Sequence, residues 1–295
     1  MLREFAPAKI NLYLHVTGRR VDGYHNLDSL VAFAGVGDEI RLEPAPRFDF
    51  IIDGPQAGHL KGEPAEQNLV VRAGRKFAKC LNKTPDLRLT LIKNLPVASG
   101  IGGGSSDAAA TLRILAIYWG IGHEDPRLAE TAAHCGQDVL VCLQTEPCYI
   151  TAQGARSGPS LPLCHMVLVN PGKALATANV YHECRTMNAA FSNMAAFEEA
   201  PPNPALFAQN LKARQNDLTA PALRLMPEIE TILKALDATG DCLLARMSGS
   251  GATCFGLFPD RDSARRAASM ILAAHPDWWV TPTFIPAHRD RRRVA

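Results

Sequence analysis

Between residues 5 and 16 apolar and polar side chains alternate with a period of two. Ile10, Leu12, Leu14 and Val16 share one face; Lys9, Asn11, Tyr13 and His15 share the other. The pattern predicts a strand with one buried apolar face, and with Lys9 and Asn11 side by side on the opposite one. Residues 19–25, RRVDGYH, then hold an Asp-Gly turn followed by an aromatic ring and an imidazole. Tyr24 and His25 suit either a hairpin tip or a flat stacking platform. Three short strand-like runs, LVAF, EIRLE and FDFII, lie between residues 27 and 52, separated by glycine and proline.

A helical period begins at Asn68, with Leu69, Ala73, Phe77 and Cys80–Leu81 along one stripe. Leu87, Leu89 and Leu91 alternate again as a strand. A second helix turns Leu112, Leu115 and Trp119 inward and ends at Gly120; a short one over residues 126–135 ends at Gly136. In the second half the pattern predicts a strand (166–169), a helix (177–184) and a proline–alanine linker (187–204). Further helices reach residue 236. Two strands (242–247 and 253–258), a helix (263–274) and a last strand (279–284) follow. Strands and helices are grouped rather than regularly alternating, which makes the class α+β. Composition changes past residues 154–158, giving two expected domains at 1–156 and 157–295.

The stretch LPVASGIGGGSSDAAA, residues 95–110, joins an alternating run to a helical one. Gly100, Gly102, Gly103 and Gly104 remove four Cβ atoms from a short bend, which lets backbone N–H groups turn toward one bound group. Ser105 or Ser106 is placed to cap a helix beginning at 107–108. A helix N-terminus with free N–H donors seats a phosphate, whereas a bare glycine cluster is a flexible turn. A Walker A loop is excluded because no lysine follows, and the dinucleotide fingerprint fails because Ser105 stands at its third glycine. Positive charge for an anion must therefore come from elsewhere in the chain. Asp138 is the one acid in an apolar run that extends to Gln144. It is either a helix cap or a carboxylate with a task, since an unpaired one is costly among apolar neighbours.

Composition adds mostly exclusions. The 295 residues carry a net charge of +2, with 47% hydrophobic and 20% charged residues, so neither a nucleic-acid groove nor a membrane surface is indicated. The five-residue basic tract from Arg289 to Arg293 reads as a solvated tail. Glu4 and Pro7 interrupt any signal-peptide core, and no run approaches the ~20 apolar residues of a membrane span. Eight cysteines are dispersed without a CxxC pair, which fits reduced thiols in the cytoplasm.

Five segments together resemble the GHMP kinases: PAKINLYLHVTGRRVDGYHNLDSL near the N-terminus, QNLVVRA, GIGGGSSDAAA, NDLTAPALRLMPEI and RMSGSGATCFGLF. The resemblance implies an α+β fold of two domains, an N-terminal one like ribosomal protein S5 and a C-terminal ferredoxin-like one, with the active site in the cleft between them. It implies ATP and Mg²⁺, and an alcohol acceptor. The segments are most similar to a member whose acceptor is a sugar alcohol joined through a diphosphate to cytidine, in isoprenoid synthesis outside the mevalonate route. On that resemblance Lys9 and Asp138 are catalytic, and Asn11, Tyr24 and His25 hold the substrate. Pro96, Gly100, Gly102, Gly103, Gly104, Ser105 and Ser106 hold ATP, with Asn68 and Lys93 bordering the nucleotide. The metal ligands stay unassigned; Ser106 and Asp107 are candidates by position alone. Gln137 and Leu140 depart from the usual Ala and Pro around the aspartate. A homoserine or mevalonate kinase of the same fold and a non-catalytic nucleotide-binding protein are the competing readings.

Overall fold

The alternating N-terminal run forms one long strand, β1 (Leu2–Arg19), and both of its faces are covered. Lys9, Asn11 and His15 are only 5%, 4% and 7% exposed, so the face read as polar is buried too. The structure, a computed structural model, describes residues 1–21, 23–197 and 199–287. Asp22 of the expected turn and the tract from Arg289 to Arg293 lie outside the described residues.

The runs expected as separate strands after residue 27 are instead one continuous strand, β2 (His25–Pro44), followed by β3 (Asp49–Asp53). Gly35 and Gly37 do not break it. A Cβ on Gly35 would stand 2.7 Å from the Phe284 ring, and one on Gly37 would stand 2.2 Å from Ala6 O. These glycines admit close neighbours rather than turn the chain.

By contact density the chain divides into two compact units that interleave in sequence. The first holds Met1–Lys9, Val36–Val97 and Gly102–Thr145; the second holds Ile10–Gly35, Ala98–Ile101 and Glu146–Ala295. In the first, β4 (Leu87–Ile92) runs parallel to β3 and antiparallel to residues 39–44 of β2. Four helices pack on one another there: α1 (Leu69–Cys80), α2 (Gly103–Trp119), α3 (Pro126–Cys135) and α4 (Gln137–Gln144). Phe77 of α1 and Leu112 and Leu115 of α2 are buried as the helical period predicts, and Trp119 packs beside Phe77 at 5.9 Å.

In the second unit a hairpin of β5 (Cys148–Thr151) and β6 (Gly154–Ser157) adds to residues 29–31 of β2. The expected boundary between residues 156 and 157 falls inside β6. A separate antiparallel sheet has the order β10-β7-β9-β8, from β7 (Cys164–Asn170), β8 (Leu244–Met247), β9 (Cys254–Phe258) and β10 (Trp279–Ile285). α8 (Glu228–Asp237) and α9 (Arg261–Ala274) cover it through Ile229, Ile232, Leu236, Ala267 and Ile271. α5 (Thr177–Met187), α6 (Pro204–Lys212) and α7 (Thr219–Leu225) complete the unit. Helices and strands are grouped as the class α+β requires. Among the described residues no helix is long and apolar enough to cross a membrane. The eight cysteines stand as thiols.

Candidate active site

The glycine loop enters its helix four residues earlier than the expected start. Gly102, with φ +63°, is the N-cap of α2, and no side chain caps it. Ser105 and Ser106 therefore lie in the first turn instead of serving as caps. The first rung of the ladder runs from Ser106 N–H to Gly102 O (2.9 Å). The N–H groups of Gly103, Gly104 and Ser105 precede that rung and belong to the positive end of the helix. Close packing explains why glycine opens a helix that it would otherwise weaken. A Cβ on Gly102 would stand 3.0 Å from the Lys9 side chain, and one on Gly103 would stand 3.1 Å from the Lys93 ammonium.

Beside this end, Lys9 on β1 donates from Nζ to Asp138 Oδ2 at 3.0 Å. Asp138 sits in the first turn of α4, where the helix end favours a carboxylate, and its side chain is 48% exposed. α4 forms over residues 137–144 although Gln137 and Leu140 replace Ala and Pro. Lys93, at the end of β4, is in a different position. Its ammonium is buried between Asp38 Oδ2 (2.5 Å) and Asp107 Oδ2 (2.7 Å). Asp38 also accepts from the N–H groups of Asn94 (2.6 Å) and Leu95 (2.8 Å). Burial pushes the Asp107 carboxyl up to about 8, against Lys93 and with the help of Asp38. Two buried carboxylates around one ammonium leave an excess negative charge, and a proton on Asp107 removes it. Asn68 spends its side-chain oxygen on the Val70 N–H (2.9 Å), capping α1, and Pro96 is buried.

In the second unit two glycine loops meet backbone to backbone. A Cβ on Gly100 (φ +76°) would lie 2.5 Å from Ser248 O, and one on Gly249 would lie 2.6 Å from Gly100 O. Ser248 Oγ donates to Gly100 O (3.1 Å) and accepts from Asn11 N–H (3.1 Å). The Asn11 amide donates to Ser29 Oγ (2.8 Å). Asn216 supports the second loop by donating to Met247 O and Gly249 O, each at 2.8 Å. The segment around Asn216 carries a recognisable sequence, but periodicity gives no hint of that brace.

His25 stacks on Tyr181 of α5, with ring centroids 5.2 Å apart and planes inclined by 27°. Burial, then the Arg19 and Arg185 guanidinium groups, hold the imidazole below its ordinary range, so that it keeps one donor and one acceptor nitrogen near neutrality. Tyr24 is 74% exposed. Tyr181, like Asp38 and Asn216, gives no local sign of its partner, because one aromatic in a short helix reads as packing. His25 borders a cavity of 760 Å³ with Arg19, Cys184, Phe191, Asp217 and Met247 among its lining.

A glycine-led helix end, a lysine–aspartate pair beside it and this two-part fold define a class. The family model for the GHMP kinases N terminal domain matches residues 68–146, and that for GHMP kinases C terminal matches residues 193–277. The chain is an ATP-dependent kinase of that type. It is 44% identical over 279 residues to the 4-diphosphocytidyl-2-C-methyl-D-erythritol kinase of Paramagnetospirillum magneticum, covering 94% of this chain and 96% of that protein. It is 48% identical over 282 residues to the same kinase of Parvibaculum lavamentivorans, covering 94% and 96%. A crystal structure of 4-(cytidine 5'-diphospho)-2C-methyl-D-erythritol kinase superposes with a TM-score of 0.76 at 30% identity, over 97% of this chain and all of that one. L. major mevalonate kinase, at 16% identity and a TM-score of 0.71 over 98% and 97% of the chains, shares the fold. The chain belongs to the 4-diphosphocytidyl-2-C-methyl-D-erythritol kinase family.

Proposed function

We propose that this enzyme transfers the γ-phosphoryl group of ATP to the 2-hydroxyl of 4-diphosphocytidyl-2-C-methyl-D-erythritol, giving the 2-phosphate and ADP. The setting is the methylerythritol phosphate route to isoprenoids, in the cytoplasm. The observation that carries the reading is the 3.0 Å pair of Lys9 and Asp138 beside the N-terminus of α2. Phosphoryl transfer needs an aligned nucleophile and stabilised charge more than covalent help. Asp138, open to solvent on one side, accepts the hydroxyl proton as oxygen attacks phosphorus. Lys9 holds Asp138 in place and offsets the charge that develops on the transferring group. The N–H groups at the start of α2 seat the phosphates, with Gly100, Gly102, Gly103, Gly104, Ser105 and Ser106 forming the loop and Pro96 its entry. Lys93 acts on this seat from beneath, through the turn it supports, and Asn68 sets the start of α1.

Mg²⁺ belongs to this reading and screens the phosphate oxygens when bound. Ser106 fits it: Oγ is a buried hydroxyl with no partner, of the oxygen type that hard cations take. Asp107 fits it poorly, since one carboxylate oxygen faces the Lys93 ammonium at 2.7 Å. Asn11, Tyr24 and His25 hold the acceptor, and the stack of His25 on Tyr181 supports a flat base at that end. The two functional domains are taken as residues 1–156 and 157–295. Coupled ADP release tests the reading. Turnover is expected with the cytidyl-diphosphate alcohol and not with homoserine or mevalonate, and CDP is expected to compete better than UDP. Turnover on a simple alcohol alone would assign a different kinase of this fold.

A further inference from the structure

Between α5 and α6 the described residues 188–197 and 199–203 lie outside helix and strand, a long connection of the kind that either serves a task or is a linker. Residues 192–197 of this connection are held by their backbone. Ser192 N–H donates to Val16 O at 2.9 Å. Asn193 O accepts from Nδ1 of His15 at 2.8 Å, since Nε2 of that ring accepts from Gln215 N–H at 3.2 Å. Ala195 N–H donates to Asp28 Oδ2 (2.6 Å), and Phe197 N–H donates to Tyr149 Oη (2.9 Å). The Arg214 guanidinium donates to Ala195 O and Ala196 O and lies 4.3 Å from the centre of the Phe197 ring.

These anchors lie deep in the unit: Asp28 is fully buried, and Tyr149 is 4% exposed. Asp28 is itself fixed by Tyr13 Oη at 3.2 Å. A buried carboxylate is costly without donors, so committing it to one amide of an irregular segment specifies where that segment lies. The leading residues, 188–191, line the cavity that His25 borders. The connection therefore places its first part at the cavity by pinning its second part to buried side chains of β1, β2 and β5.

We propose that residues 188–197 form a strap closing one side of the acceptor pocket, and that Asp28 and Tyr149 are positioning residues that set acceptor affinity through it. The inference rests on the reading of His25 as a substrate-binding residue. It is tested with Asp28→Ala, Asp28→Asn and Tyr149→Phe. The readouts are KM for 4-diphosphocytidyl-2-C-methyl-D-erythritol, KM for ATP, kcat, and amide hydrogen exchange over residues 192–197.

Acceptor KM should rise about tenfold in Asp28→Ala and about threefold in Tyr149→Phe, the scale of one or two lost hydrogen bonds. Exchange at Ala195 and Phe197 should speed up, while kcat and KM for ATP stay within about twofold. Asp28→Asn keeps an oxygen for the Ala195 N–H and should restore an acceptor KM near that of the parent. If Asp28→Ala does not fold, Tyr149→Phe decides alone. Faster exchange with an unchanged acceptor KM overturns the inference, as does an equal rise in both KM values. His25→Ala separates the two readings. If it raises acceptor KM and the strap variants do not, the strap alone is refuted; if it leaves acceptor KM unchanged, the base-reading role of His25 fails first.

Discussion

Two lysine–aspartate groups sit in the same unit, each against the glycine turn that opens α2, and they differ in access. Lys9 lies along Gly102 and pairs with an Asp138 side chain that is 48% exposed. Lys93 lies under Gly103 and is enclosed with Asp38 and Asp107, none of whose side chains is more than 4% exposed. The chemistry of the two pairs is alike. Access decides what each can do: a half-exposed carboxylate can take a proton from a substrate, whereas an enclosed one can only hold its neighbours. The difference also predicts opposite signatures on mutation, since loss at the open pair removes rate and loss at the closed one removes stability.

The largest effect is expected at the open pair. Asp138→Asn keeps the shape and removes the basicity, and should lower kcat on the order of 10²–10⁴-fold with little change in substrate affinity. Near-normal turnover in a folded Asn variant would remove Asp138 as the base. The sharpest contrast comes from treating both lysines alike. Lys9→Met should lower kcat and kcat/KM together, with KM for ATP nearly unchanged and Tm preserved. Lys93→Met leaves the buried Asp38 carboxylate without its cation and should cost about 3–5 kcal/mol of stability, read as a fall in Tm or in denaturation midpoint. If Lys93→Met kept its Tm and lost only ATP affinity, the enclosed group would contact nucleotide directly.

A smaller effect belongs to the base-reading end. Tyr181→Ala removes the ring stacked on His25 and should weaken the cytidyl substrate by about 1–3 kcal/mol, the scale of base–aromatic stacking, without altering ATP binding. Titration of the parent and the variant with CDP measures this, and equal affinities would assign the stack to folding alone. A separate effect, read as a slope against pH rather than as a single loss, is expected at Asp107. Its carboxyl ordinarily titrates near 3.8 and burial raises it to about 8 in the folded state. The folded state therefore binds this proton more tightly than the unfolded one, and stability declines as pH rises from about 4 to about 8. Asp107→Asn cannot ionise and should show a shallower loss of Tm between pH 5 and 9. Parallel Tm profiles for the two proteins would place the proton elsewhere in the cluster.

Much of the fold is legible in the residues because local periods survive folding. The stripe of Leu69, Ala73 and Phe77, the alternation of Leu87, Leu89 and Leu91, and the end of α2 at Gly120 all follow from 3.6- or 2-residue repeats and their stop signals. The glycine loop is legible as a bend leading into a helix from its composition and its place between two periodic runs. Its helix start is not: local rules favour Ser105 or Ser106 as a cap, but the close approach of Lys9 and Lys93 favours glycine inside the first turn. Gly35 and Gly37 mislead in the same way, since a sequence does not say whether a missing Cβ serves a turn or a neighbour.

The sequence by itself determined the α+β class and those helices and strands whose apolar period is unbroken, because these depend on side-chain type and short-range spacing. Tertiary structure alone decided which charges are reachable. Nothing local distinguishes Lys9 from Lys93, or Asp138 from Asp107; the distinction arises from Asp38, 55 residues before Lys93 in the chain, and from the walls that enclose all three. Nor does any local pattern join His25 to Tyr181, or Asp28 to the amide of Ala195, 167 residues away. Burial and long-range pairing are properties of the packed chain. They set the dielectric and the partners of each group, and through these its role.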